Sequence, residues 1–238
     1  RAVARRLGLN EDLVETIALV HDVGHPPFGH AGERELAQLM SNHGGFNHNR
    51  HALRVVDLLE SRYPAFPGLN LSWEVRESIV KHYGRFDEPE LDQFLPGKPP
   101  TLEAQLADIG DSLAYDSHDL DDGLRSGVLD LRELSEIDLF RRAMERVNAL
   151  HGSGISSRAL IARCVSAVIS QQVNDLVLTS RERLQKNVVG DVESVRQHDG
   201  NLIGFSTAMS ADKAQLQGFP QEKLYRDPFC VRMSQKGR

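Results

Sequence analysis

The sequence predicts an all-α fold. Apolar residues recur at helical spacing through most of the 238 positions, and capping residues stand ahead of those runs. Strand signals are weak; "NLIGFS" (201–206) is the best short candidate. The length suffices to bury a substantial core. No apolar run approaches the roughly 20 residues of a membrane span. The start carries no signal-peptide pattern, and Cys164 and Cys230 lack CxxC spacing, so the expected setting is a reducing cytoplasm. A net charge of −6 gives no electrostatic footprint for nucleic acid.

The elements follow in order. "RAVARRLGLNEDLVE" begins at Arg1, without Met, and reads as the tail of a helix that started earlier. Asn10 caps the next helix, Glu11 and Asp12 suit its first turn, and Leu13, Ile17 and Val20 repeat on one face. That run stops near Gly24, since Pro26-Pro27 cannot continue it. A second helix is expected from Ala31 to about Met40, ending before Gly44-Gly45. A third runs from about Asn47 to Ser61, with Leu53, Val56 and Leu59 as a buried stripe. Ser72 caps a fourth, "WEVRESIVKHY". "EPELDQFLPGKPP" reads as a loop with at most one helical turn. Thr101 caps a fifth, "LEAQLADIGDSLAYDSHDL", with Leu102, Leu106, Ile109 and Leu113 as its apolar stripe. The longest periodic segment is Ser157 to about Gln185. It carries Leu160, Ile161, Cys164, Val165, Val168, Val173, Leu176 and Val177 on one broad face, either a core helix or a subunit interface. Residues 1–130 are expected to form a core, and 131–238 a helical C-terminal part packed on it.

Six of the ten histidines fall between His21 and His51. In "LVHDVGHPPFGHAGE" (19–33), His21 and Asp22 end an apolar helix. Neighbours about 100° apart can border one point there, and imidazole with carboxylate suits a divalent cation. The plainer alternative is a buried His beside a surface Asp. His25 and His30 flank a stiff Pro-Pro loop. Glu33 stands three residues after His30, so on a helix the two share a side and the carboxylate can raise the basicity of the imidazole, as a water-activating pair requires. The alternative is a helix-start carboxylate on the dipole. In "GGFNHNRH", His48 opens a helix, where a cap-region role competes with a site role. On the fifth helix Asp108, Ser112, Tyr115, Asp116 and Asp119 make a polar face without an interleaved Lys; like charges so spaced call for a positive partner, which a metal would supply. Arg125 is either a phosphate contact or an ordinary partner of nearby Asp residues. His43 and His51 read as structural, His82 as a helix-end cation, and His151 and His198 as loop residues.

Together, "HDVGHPPFGHAGE", "GGFNHN", "EAQLADIGD" and "AYDSHDLDDGLRSG" resemble, in this order, the HD-domain deoxynucleoside triphosphate triphosphohydrolases, the dGTPase-like family. "LYRD" (224–227) is a faint echo farther on. The resemblance implies an HD-domain helical bundle with additional C-terminal helices. It implies one divalent metal, Mn or Mg by family habit, with Fe, Co, Ni or Zn suited to mixed nitrogen and oxygen ligands. His21, Asp22 and Asp108 then match metal ligands, with a fourth, a His, expected upstream of Arg1. His30 and Glu33 match the water-activating pair. His25 and His48 match histidines near the phosphates or the leaving oxygen, and Tyr115 and Asp116 match the deoxyribose contacts. The implied reaction is attack of water at the α-phosphorus of a dNTP, giving deoxynucleoside and inorganic triphosphate. The rivals are another HD phosphohydrolase, a nucleotidase or phosphodiesterase, and a non-catalytic nucleotide-sensing module. The family's habits also imply a homo-oligomer and a dNTP activator. Some members bind single-stranded DNA, for which this sequence offers no support.

Overall fold

A computed structural model describes residues 1–82, 89–223 and 228–236 of the chain. Tyr83, "LYRD" at 224–227 and the side chain of Cys230 lie outside the described residues. Twelve α-helices occur among the described residues: α1 (Ala2–Leu7), α2 (Glu11–Val20), α3 (Gly29–Leu39), α4 (His48–Arg54), α5 (Trp73–Lys81), α6 (Leu102–Ser126), α7 (Leu131–Leu134), α8 (Asp138–His151), α9 (Ser157–Lys186), α10 (Val192–Gln197), α11 (Thr207–Lys223) and α12 (Pro228–Lys236). The fold is all-α. The extended pairing seen among the described residues is one isolated bridge, Ser61 to Gly68.

The caps show why several helices start where they do. The Asn10 side chain accepts from the backbone N–H groups of Asp12 and Leu13, and Asn47 does the same for Asn49 and Arg50. Ser72 occupies the cap position of α5, yet its side chain makes no capping hydrogen bond. The helix expected from Ala31 starts at Gly29, after Phe28 turns the chain with φ 67°. The third helix ends in a π turn, Val55–Leu59. That wider turn rotates the register, so Leu59 is 51% exposed instead of completing the buried stripe. Residues Pro89–Phe94 form two turns of 3-10 helix where a loop with at most one helical turn was expected. "NLIGFS" is not a strand. Its backbone finds side-chain partners instead: the Leu202 N–H donates to Gln105 Oε1 and the Gly204 N–H to Ser180 Oγ.

Contacts divide the chain into two compact units. One comprises Arg1–Asp108, Asn187–Leu202 and the last residues from Ser234. In it α2 and α4 pack on α5 through two apolar clusters, one around Ile17, Val75 and Ala104, the other around Ala52, Val56 and Ile79. Segment 187–202 is fastened to α5 by Arg196, whose guanidinium meets both Glu77 oxygens at 2.6 and 2.9 Å. Both partners are buried, and Lys81 reaches the same carboxylate at 2.6 Å. The other unit comprises Ile109–Lys186 and Ile203–Met233. Its core joins Leu120, Leu124, Leu134, Phe140, Val147, Cys164, Val168 and Leu216, with α9 packed along α8. The broad apolar face of α9 is thus a core face. Cys164 is a buried free thiol, and burial pushes its pKa up.

Candidate metal centre

The histidine-rich segment is folded by close backbone approaches. After α2 the chain turns at Gly24, where a Cβ would stand 2.0 Å from the His48 carbonyl oxygen and 2.3 Å from the Ala52 nitrogen. Only a glycine lets this turn lie against α4. Gly32 performs the same service inside α3, where a Cβ would meet the Pro27 carbonyl oxygen at 2.0 Å. The turn residues, the start of α3 and the start of α4 are therefore held together before any side-chain chemistry is considered. His82, at the C-terminal cap of α5, arrives from a separate part of the sequence.

At one end of the cluster, ligand atoms of His21, Asp22 and His82 all lie within 4.8 Å of one another. His21 Nδ1 is 2.8 Å from the Ala18 carbonyl oxygen, which can only accept, so Nδ1 carries the proton. Its Nε2 faces Asp22 Oδ2 at 3.4 Å. His82 Nδ1 lies 2.6 Å from Asp108 Oδ1, and its side chain is 6% exposed. The sequence suggests a helix-end cation at His82; the residue does cap α5, and its ring is buried 5.2 Å from that of His21, edge to face. A nitrogen of each imidazole and one carboxylate oxygen thus come close enough together to share a single cation. Interaction with His21 first, and the charges of His25 and His82, hold the Asp22 carboxyl down at about 2 although partial burial pushes the other way. Asp108 stands behind His82 and is not part of this three-residue group. The donor set of nitrogen and carboxylate oxygen fits a divalent cation.

At the other end, His25, His30 and Glu33 form a second group within the same span, and Asp22, His25 and His48 a third. The His25 ring stacks on His48 with centroids 4.0 Å apart and meets His30 edge-on at 5.1 Å, while its Nδ1 is 3.2 Å from Asp22 Oδ1. The hydrogen bonds of Glu33 go to His48, not to His30: Oε1 accepts from the His48 backbone N–H at 2.9 Å and meets its Nδ1 at 2.8 Å. Burial pushes the Glu33 carboxyl up, but these two bonds and the nearby imidazoles bring its pKa below the usual carboxylate value. His48 is buried, whereas His30 stands at the exposed edge.

In the second unit, Asp116 is tied to α11. Lys213 forms an ion pair with it and also reaches Ser112 at 3.0 Å, while Gln217 donates at 2.9 and 3.0 Å. The positive partner missing from the polar face of α6 is thus, for Asp116, a lysine 97 residues away. Tyr115 is 57% exposed. Arg125 pairs with Asp121 one turn back, at 2.6 Å. His82 is the member of the cluster that local reading passed over. A Lys-His pair at a helix end looks like dipole compensation, and no spacing rule ties it to His21.

Comparison with known proteins accords with this geometry. The HD domain family model matches residues 1–116. A Geobacter sulfurreducens protein named deoxyguanosinetriphosphate triphosphohydrolase-like protein is 44% identical over 238 residues, which cover 99% of this chain and 62% of that protein. Proteins of the same name from Azoarcus sp. and Nitrosomonas europaea are 43% and 44% identical over 242 residues, covering all of this chain and 63% and 64% of theirs. The chain therefore spans under two thirds of the length of these relatives. The chain is thus similar to the HD domain over residues 1–116 and, along nearly all of its length, to proteins named deoxyguanosinetriphosphate triphosphohydrolase-like protein.

Proposed function

We propose that this chain carries the centre of a metal-dependent phosphohydrolase that cleaves deoxynucleoside triphosphates at the α-phosphorus. The supporting observation is the run of three His/carboxylate groups that share Asp22 and His25. One end suits a cation and the other suits proton transfer. The names of the relatives point to a deoxyguanosine triphosphate-like substrate.

In this reading His21 and Asp22 hold the cation, which supplies charge neutralisation for the phosphate oxygens. The residues then divide the remaining work. His25, between Asp22 and His48, faces the phosphates. His48 is the imidazole backed by a carboxylate, because Glu33 accepts from its Nδ1 and so raises the basicity of its Nε2. His30, at the exposed edge, holds the attacking water in line. Water attacks the α-phosphorus, a water proton passes to imidazole, the bond to the 5′-oxygen breaks, and the imidazolium returns that proton to the departing 5′-oxygen. Tyr115 and Asp116 are proposed deoxyribose contacts, and Arg125 a phosphate contact, on the resemblance alone.

The test is product identification. Full-length protein with manganese or magnesium is incubated with each of the four dNTPs, and products are separated by anion exchange. Deoxynucleoside plus inorganic triphosphate is the expected result. Orthophosphate or a nucleoside monophosphate would replace the reading with a different HD phosphohydrolase, and binding without turnover would replace it with nucleotide sensing.

A further inference from the structure

We infer that the outer side of α4 carries an anion pocket for the phosphoryl groups of a polyphosphate, apart from the histidine cluster. The cavity measures about 210 Å³. Its walls bring together Arg50 and Arg54 of α4, His51 between them in sequence, His43 from the 3-10 turn Ser41–His43, and Phe46 and Asn47 from the link between the two. Among the described residues that line it, none is acidic. Gly44, with φ 88°, and Gly45, with φ 71°, turn the chain back toward α4 in a backbone conformation that favours glycine. Arg50 Nη1 lies 4.0 Å from where a Cβ on Gly44 would stand, so the guanidinium folds over this turn.

The chemistry of the lining selects the ligand. Several arginines elsewhere in the chain meet carboxylates: Arg76 with Asp57, Arg125 with Asp121, Arg141 with Asp138 and Arg196 with Glu77. Here a chain of net charge −6 gathers two arginines and two histidines around one cavity. Arg50 and Arg54 stand four residues apart on the helix, where like charges oppose each other until an anion lies between them. Guanidinium forks match phosphate oxygens. Asn47 Oδ1 accepts from the Asn49 and Arg50 N–H groups, and its Nδ2 is a further donor. The rings of Phe46 and His51, 5.4 Å apart, close one wall. The volume is below the roughly 300–1,000 Å³ of a site that encloses a whole small ligand, so it suits two or three phosphoryl groups and leaves any nucleoside outside. The pocket is separate from the candidate metal centre. None of its residues belongs to the three His/carboxylate groups. Arg50 and Arg54 are turned about 200° and about 240° around α4 from His48.

The experiment is calorimetry of the full-length protein with inorganic triphosphate, with dGTP and with a short oligothymidylate. EDTA is present, so that no cation bridges the anion to the histidine cluster. Triphosphate is expected to bind, and Arg50→Gln/Arg54→Gln to weaken it by roughly 10-fold or more, as the loss of a charge-assisted hydrogen bond requires. Far-UV circular dichroism checks that the variant is folded. Phe46→Trp gives a readout that leaves both arginines in place. Emission from the new indole should change with triphosphate at the calorimetric midpoint, against the unsubstituted protein, whose single tryptophan is Trp73. Tighter binding of dGTP than of triphosphate, with the same arginine dependence, supports the pocket as the seat of a nucleotide's phosphate tail. Equal or weaker binding of dGTP supports it as a site for free polyphosphate. Triphosphate affinity unchanged in the arginine variant overturns the inference, as does Phe46→Trp emission indifferent to triphosphate. A failure of triphosphate to bind also overturns it, and oligothymidylate binding in that case would make the patch a nucleic-acid contact instead.

Discussion

Glu33 shows how one side chain can serve both architecture and chemistry. Its Oε1 takes the backbone N–H that opens α4 and the ring nitrogen of the first residue of that helix. Replacing Glu33 by Gln keeps an acceptor for the backbone bond but removes the charge that supports the imidazole. For dNTP hydrolysis, Glu33→Gln should therefore lower kcat by about 10²- to 10⁴-fold with little change in KM. Steady-state kinetics at saturating metal check this; near-wild-type kcat would remove Glu33 from the proton-transfer machinery. The pairing was half legible. Glu33 stood out by its spacing from His30, but that spacing could not reveal that Asn47 would cap α4 and aim His48 at the same carboxylate. Local periodicity reports which face a residue occupies, not which distant residue arrives at that face. For the same reason His82 was read from its helix end alone.

The helices divide into those whose ends are written in their own residues and those whose ends depend on packing. Asn10 and Asn47 announce α2 and α4, and both cap as expected. The fifth helix, expected over "LEAQLADIGDSLAYDSHDL", runs on to Ser126. The helix continues through Gly123 because Leu129 folds back over it, with side-chain carbons that a Cβ would meet at 2.4 and 2.6 Å, and donates its N–H to the Gly123 carbonyl at 2.9 Å. For α5 the decisive contact comes from residue 196. Its guanidinium shares the buried Glu77 carboxylate with Lys81 and lies 5.1 Å from the Trp73 ring centroid. Nothing in "WEVRESIVKHY" identifies that partner. Because both members are buried, Arg196→Met leaves the Glu77 carboxylate with Lys81 as its remaining cationic partner and should cost up to roughly 3–5 kcal/mol, above the ~0–1 kcal/mol of an exposed pair. The triple variant Glu77→Gln/Lys81→Met/Arg196→Met removes all three buried charges together and should recover part of the loss. Urea unfolding of the two variants checks this; a single-variant loss under about 1 kcal/mol would mean that the pair is solvated in solution. Since α5 ends at His82, the weakened variant should also bind manganese less tightly.

Helical content was the most legible property of the chain, because periodicity and caps are local and no stretch combined β-branched residues with alternation. The division into units was less so. Segment 187–202 belongs with the N-terminal residues, and its attachment through Arg196 and Leu202 involves partners in α5 and α6. Charge gives a further property of the chain as a whole. Glu11, Glu33, Asp138 and Asp191 all have carboxyl pKa values below their ordinary ones: Glu11 through Arg5, Glu33 through His48 against its burial, Asp138 through Arg141, and Asp191 through the Ser194 N–H and hydroxyl. A carboxyl that is more acidic when folded binds fewer protons than its unfolded counterpart. Its stabilisation is complete above the ordinary value and is lost as pH falls through the folded one. The ordinary values are 4.5 for Glu and 3.8 for Asp, so the loss should begin below about pH 5 and deepen toward pH 2. Self-repulsion acts in the same direction, since 28 Lys and Arg and 10 His remain charged as 34 Asp and Glu are neutralised. The urea midpoint, followed by circular dichroism in EDTA so that protons do not compete with a bound cation, should therefore be flat near neutrality and fall steadily below pH 5. A midpoint that holds or rises between pH 5 and 3 would mean that these four carboxyl groups keep their ordinary acidity in the folded chain.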